Sequence, residues 1–166
     1  MKRFKHILAP TDLSPESLSV VAYAGHLARS EGAKLAVLHV CHSTSLAFTE
    51  FSPPIDFVNI DAAVKQSARE HLEKWAKKGL HRGQKVELVV KGGVTHETIC
   101  DLAEKIGADL IVMATHGRKG LGRAIIGSVT ERVLRDAPCP VLALKPPKAA
   151  AGGKGTRQKK RSKKPR

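Results

Sequence analysis

The sequence predicts an α/β protein: a parallel sheet with helices on both faces. Two observations carry this. Five short apolar runs alternate with four stretches of helical spacing, giving β-α-β-α-β-α-β-α-β. Right-handed crossovers turn that order into a parallel sheet. The run over 110–114 is also continuously apolar rather than alternating, as a strand buried on both sides requires. With 166 residues and 42% hydrophobic content, the chain can bury the core of one domain.

Residues 4–9 read as the first strand, ending at Pro10. Thr11-Asp12-Leu13-Ser14-Pro15-Glu16 then forms a helix entrance. Ser14 is a capping residue, Pro15 suits the first turn, and Glu16 favours the positive end of the helix dipole. The helix runs to residue 30, with Leu18, Val21, Ala22, Ala24, Gly25 and Ala28 as packing surface, and Glu31-Gly32 ends it. Residues 34–40, KLAVLHV, are the second strand. A long connection over 41–56 has no clean period and contains Pro53-Pro54. The spacing of Val64, Ala68, Leu72, Trp75 and Ala76 predicts a helix over 57–81, closed by Gly83. Residues 85–91 are the third strand, 95–106 a helix after Gly92-Gly93, 109–114 the fourth strand, 128–136 a helix and 140–144 the fifth strand.

The net charge of +14 is unevenly spread. Residues 148–166 hold nine Lys or Arg and no acids, which leaves only +5 on the first 147. That basic tail lacks bulky apolar residues and is expected to be disordered, so the domain division is 1–147 and 148–166. Its cations suit a polyanion, with residues 154–166 as the candidate for non-specific nucleic-acid contact; a solubilising extension is the plainer reading. Cys41, Cys100 and Cys139 form neither a CxxC pair nor a disulfide framework, which fits a reducing compartment and packing roles. No apolar run is long enough to span a bilayer and the N-terminus lacks the core of a secretion signal, so the expected location is cytoplasmic.

Residues 109–131, DLIVMATHGRKGLGRAIIGSVTE, are the stretch around which the chain is organised. A buried strand ends in small residues, passes through a loop with Arg118, Lys119 and Arg123, and reaches Gly127-Ser128 at a helix start. Amides at such a helix N-terminus can hold an anion, which suggests a phosphate cradle. Ser128-Val129-Thr130-Glu131 also fits a capping box, and local pattern leaves capping and phosphate contact as equal readings of Ser128. Two other nucleotide signatures are absent. There is no G-x-x-x-x-G-K-[ST], and Gly120-Leu121-Gly122 is followed by Ile125 where a dinucleotide fingerprint needs glycine. In an open parallel sheet, ligands sit beyond the carboxyl ends of the strands. Asp12 and the turn 113–117 both lie at carboxyl ends and can meet there. Asp12 has the alternative role of capping the following helix. His116 has the titration range of a general acid or base but no partner carboxylate at fixed spacing, so binding or structure is its simpler role. His71 and Trp75 read as a core or rim pair rather than ligands.

The spacing Ala114-x-x-Gly117, nine residues, then Gly127-Ser128, followed by VTERVLRDAPCPVLAL, resembles the universal stress protein family. KHILAPTDLSPES resembles that family's opening strand and turn, and the likeness covers residues 2–146. The resemblance implies a five-stranded sheet of order 3-2-1-4-5, an adenine-nucleotide alpha-hydrolase-like fold, and a homodimer through residues 141–144. It implies ATP, or ADP or AMP, with magnesium as an optional companion, in a binding module rather than an enzyme. Gly117, Gly127, Ser128 and Thr130 would contact phosphates with backbone help from Val129, and Arg118 would add charge. Met113, Ala114 and His116 would line the phosphate and ribose region. Pro10, Thr11, Asp12 and Val40 would frame adenine and ribose. Ala114 departs from the family's first motif glycine, which puts affinity in question. Two alternatives accompany this: a dimeric scaffold that has lost or weakened ATP binding, and a slow ATPase assisted by His116.

Overall fold

The computed structural model describes residues 3–41, 57–115 and 126–145. The 41–56 connection beyond Cys41, most of the loop between the fourth strand and last helix, and the basic tail lie outside the described residues. Element order is β1 (His6–Thr11), α1 (Pro15–Glu31), β2 (Lys34–Cys41), α2 (Phe57–Gly79), β3 (Val86–Gly92), α3 (Thr95–Lys105), β4 (Leu110–Ala114), α4 (Ser128–Asp136) and β5 (Val141–Leu144). The five strands form one sheet in the order β3-β2-β1-β4-β5, and each neighbouring pair is parallel. Order and direction are as expected.

Two apolar layers flank this sheet because successive strand residues face opposite sides. Ile7, Ala9, Leu35, Val37, Leu110 and Val112 meet Val20, Val21, Ala24 and Ala28 of α1 and Leu72 of α2. Leu8, Ala36, Leu38, Val40, Ile111 and Met113 meet Ile99, Leu102 and Ala103 of α3 and Val133 of α4. Trp75 packs at the margin of the first layer while His71 is exposed, which fits a rim position rather than a ligand pair.

The strand order turns around at β1 and β4, which leave the sheet centre in opposite directions. β1 runs on past the predicted stop and carries Pro10 inside it. A proline in a central strand needs explanation, since it cannot donate to a ladder. His6 O accepts from Asp109 N and Lys5 O from Lys34 N, so even residues of β1 turn their backbone groups towards β4 and odd ones towards β2. The missing N–H of Pro10 therefore faces β4, where the paired residues end at Ile7↔Leu110 and Leu8↔Ile111. Both strands continue three residues beyond that last pair, to Thr11 and Ala114. In open parallel sheets such a divergence of strand ends is where a ligand crevice is expected.

α2 ends at Gly79, short of the expected 81, and Gly83 instead makes a turn at φ 83°. Packing against α1 requires the glycine at this end. A Cβ placed on Gly79 would lie 2.6 Å from Leu18 Cδ1 and 3.3 Å from Leu18 O, so only glycine lets α2 approach α1 here.

Candidate functional site

At the end of β1 the chain enters α1 through a buried polar network. Thr11, Ser14 and Ser17 are all buried. Ser14 is the N-cap: its Oγ accepts from Ser17 N at 3.1 Å, and Pro15 opens the helix as expected. Thr11 Oγ1 lies 2.9 Å from Ser17 Oγ and accepts from Leu13 N at 3.0 Å. Leu13 has φ 62°, a conformation that costs a non-glycine residue about 1–2 kcal/mol. It is the one such residue among those described. Asp12 is not the cap. Its Oδ1 accepts from Ser14 N at 3.0 Å, which holds the carboxylate beside the crevice.

A further contact in this turn comes from β2. His39 pairs in register with Thr11, and its Nδ1 lies 3.0 Å from Thr11 O. A carbonyl only accepts, so Nδ1 carries the hydrogen. The sequence offered only a histidine within an apolar run as a hint of this. Replacing His39 with Leu should raise hydrogen exchange of the Leu13 and Ser14 amides about five-fold, the equivalent of one lost hydrogen bond of about 1 kcal/mol. His39→Asn places a donor at a similar reach and should restore slow exchange; equal exchange in all three proteins would remove His39 from the account.

The end of β4 is tied to the start of α4 by two bonds. Gly127 N donates to Thr115 O at 2.8 Å, and Thr130 Oγ1 donates to Ala114 O at 2.9 Å. Thr115 N in turn donates to Leu144 O of β5 at 2.8 Å. These bonds place the N-terminus of α4 next to the carboxyl end of β4. Gly127 is the N-cap, with φ −64° and ψ 147°, and no side chain caps the helix. The capping box therefore does not form. Ser128 stands one position too late for it, and Glu131 pairs with Arg135 at 3.2 Å instead of reaching back. Glu131 N makes the first intrahelical bond, to Gly127 O. The amides of Ser128, Val129 and Thr130 precede it, as orphan donors do at any helix start. Among the described residues nothing accepts from them.

Several expected contacts are redefined by burial. Thr130 is 3% exposed and its hydroxyl proton goes to Ala114, so only its amide is left for an anion. Met113 and Val40 are buried in the layer formed with α3 and α4. Pro10 is buried within β1. Ala114 sits in β4 without positive φ, so its methyl imposes no backbone strain where the motif elsewhere has glycine. His116, Gly117 and Arg118, with Lys119 and Arg123, lie outside the described residues.

Away from this end, the thiols of Cys100 and Cys139 are raised above the ordinary cysteine range, chiefly by burial and then by neighbouring negative charge. They stay protonated at neutral pH, in keeping with packing roles, and Cys41 is likewise half-buried. No group of three His, Cys, Asp or Glu among the described residues could hold a metal ion. No described helix is long and apolar enough to cross a membrane.

A five-stranded parallel sheet in this order, turning around at β1 and β4, defines the adenine-nucleotide alpha-hydrolase-like class. Within it the chain belongs to the universal stress protein family, which matches residues 3–145. It is 37% identical over 142 residues to universal stress protein A homolog 1 of Coxiella burnetii, covering 85% of this chain and 96% of that one. Over 145 residues it is 36% identical to universal stress protein MJ0531 of Methanocaldococcus jannaschii, covering 87% and 84%. Among solved structures, hypothetical protein MJ0577 of the same archaeon superimposes with a TM-score of 0.73 at 28% identity, over 89% of this chain and all of that one. UspA from Lactobacillus plantarum gives 0.66 at 26% identity, over 87% and 100%. A universal stress protein in complex with cAMP shares the fold, with a TM-score of 0.59 at 22% identity, over 88% and 100%.

Proposed function

We propose that this chain binds an adenine nucleotide, ATP foremost, across the β1/β4 crevice and acts as a dimeric binding module in the stress response. The observation that carries this is the row of orphan amides at Ser128, Val129 and Thr130, anchored beside the end of β4. Phosphates are the ligand such a row suits, because amide donors and the helix dipole both favour negative charge. Across the crevice, the Thr11–Asp12 turn offers a carboxylate to a ribose hydroxyl. Gly117, His116 and Arg118 would complete the phosphate side, and magnesium would arrive as the triphosphate's own counter-ion. The cAMP-bound fold neighbour supports only the point that this architecture can hold an adenine nucleotide.

Denaturing the purified protein and identifying released small molecules by mass spectrometry tests the reading. An adenine nucleotide is expected in the supernatant, or saturable uptake when ATP is added back. A chain that releases none and takes up none at millimolar ATP contradicts it, and leaves the scaffold alternative.

Dimerisation would use the β5 edge. Val141–Leu144 is a four-residue edge strand whose residues are all half-exposed, and Ile126, Val129 and Leu134 are exposed apolar residues at or beside α4. Ile111 N donates to Pro140 O and Thr115 N to Leu144 O, so Pro140, Leu142 and Leu144 turn their backbone groups to β4. Val141 and Ala143 consequently present theirs outward, where a second copy can pair. Ala143→Pro removes an outward N–H and leaves the β4 ladder intact. Sedimentation equilibrium should show a dimer for the parent and a monomer for this variant; unchanged dimers would place the interface elsewhere.

A further inference from the structure

The end of the molecule opposite the crevice carries a charge distribution that nucleotide binding does not use. α1 runs back from β1, so its C-terminal half lies towards the amino ends of the strands, where α2 also terminates. Ala22, His26 and Arg29 of α1 line a groove of about 210 Å³ there together with Gly79, Leu80, His81 and Gln84. Gln84 fixes the groove wall by donating to Gly25 O at 2.9 Å.

The segment forming one wall, residues 74–85, holds Lys74, Lys77, Lys78, Arg82 and Lys85 and no acid. All five are exposed, as are His26, Arg29 and His81. None of the Lys or Arg residues here joins an ion pair among the described residues; the nearest acid on α2, Glu73, is paired with Arg69 at 3.4 Å. Helix dipoles explain part of this, since cations in a last turn are stabilising, and Arg29, Lys77 and Lys78 occupy last turns. They do not explain Lys74, a turn earlier, or Arg82 and Lys85, which follow the helix. Arg29 lines the groove and the five cations of residues 74–85 flank its lining residues in sequence; together these six exceed what helix ends require.

We propose that this basic end is a docking surface for the phosphodiester backbone of double-stranded nucleic acid, separate from the crevice and independent of its ligand. Charge complementarity selects a polyanion, and counter-ion release on phosphate contact drives such binding. Contact with a duplex backbone is the mode it suits better than base stacking, because none of its lining residues is Phe, Tyr or Trp.

Fluorescence anisotropy of a labelled 25-base-pair duplex against the full-length protein over a salt series tests this. Lys77→Glu with Lys78→Glu is compared with Lys105→Glu with Arg132→Glu, an equal charge change on the helices covering the other face. For the groove variant we expect at least ten-fold weaker binding at low salt. The slope of log K against log salt should also shrink by about 2, since each phosphate contact contributes about 0.9. The control variant should keep the parent slope. Equal slopes in all three proteins would assign duplex binding to the tail or to net charge and overturn the proposal. Absence of duplex binding by the parent, or binding to anionic vesicles alone, would overturn it as well. Melting curves check that the variants fold, and ATP uptake by the groove variant should match the parent.

Discussion

Gly127→Val is expected to weaken ATP binding at least 100-fold while leaving the protein folded. The residue is the N-cap of α4 at φ −64° and ψ 147°, a region that valine adopts readily. Its amide bond to Thr115 O is kept, because every residue except proline supplies that donor. What changes is space. An isopropyl group at the helix N-terminus stands where phosphate oxygens must approach the amides of Ser128 and Val129, and it shields them from the dipole. Loss of two charge-assisted hydrogen bonds, each worth about 1.5–3 kcal/mol, gives a factor of that order. Isothermal titration checks the affinity and a thermal melt checks the fold. Undiminished binding would move the phosphates away from α4.

Thr130→Val should show the other half of the arrangement, in stability as well as in binding. Thr130 is buried, and its hydroxyl is the side-chain tie between α4 and the last residue of β4. Valine fills nearly the same volume but donates nothing, so the Ala114 carbonyl loses its side-chain donor in a buried setting. Stranding a buried acceptor costs about 1–3 kcal/mol. For a domain of this size each kcal/mol is worth roughly 2–4 °C, so a melting temperature lower by roughly 4–8 °C is expected. ATP affinity should fall too, since the helix that presents the amides is no longer pinned to the strand. Thr130→Ser keeps the hydroxyl and should recover most of both losses. A valine variant as stable as the parent would show that the bond contributes nothing net.

Legibility in the sequence followed the range of the interactions. The five strands and four helices could be read because burial on both faces and 3.6-residue spacing are local patterns, and Ser14-Pro15 marks the start of α1 within three residues. The strand order came only from resemblance, since β1 pairing with both β2 and β4 depends on packing that no local pattern encodes. Boundaries failed where tertiary contacts override local signals. Pro10 looked like a stop, yet its missing N–H faces the side where the β1/β4 pairing has already ended. Gly83 looked like the end of α2, yet the helix ends at Gly79, where a side chain would collide with Leu18 of α1. Ser128 and Glu131 matched a capping box in sequence, but the N-cap is Gly127 and Glu131 pairs with Arg135, so the box does not form although the helix spans 128–136 as expected. His39 was marked in the sequence only as a histidine within an apolar run. Its role depends on a carbonyl 28 residues away that becomes a neighbour only when β1 and β2 pair.

The convergence of two distant turns on one ligand is tested most directly by amide chemical shifts in a titration of the isotopically labelled protein with ATP. Saturable shifts should concentrate at Thr11, Asp12 and Leu13 on one side and at Thr115, Gly127, Ser128, Val129 and Thr130 on the other, with a common midpoint. Shifts confined to one of these turns, or centred on the groove between α1 and α2, would contradict a shared crevice.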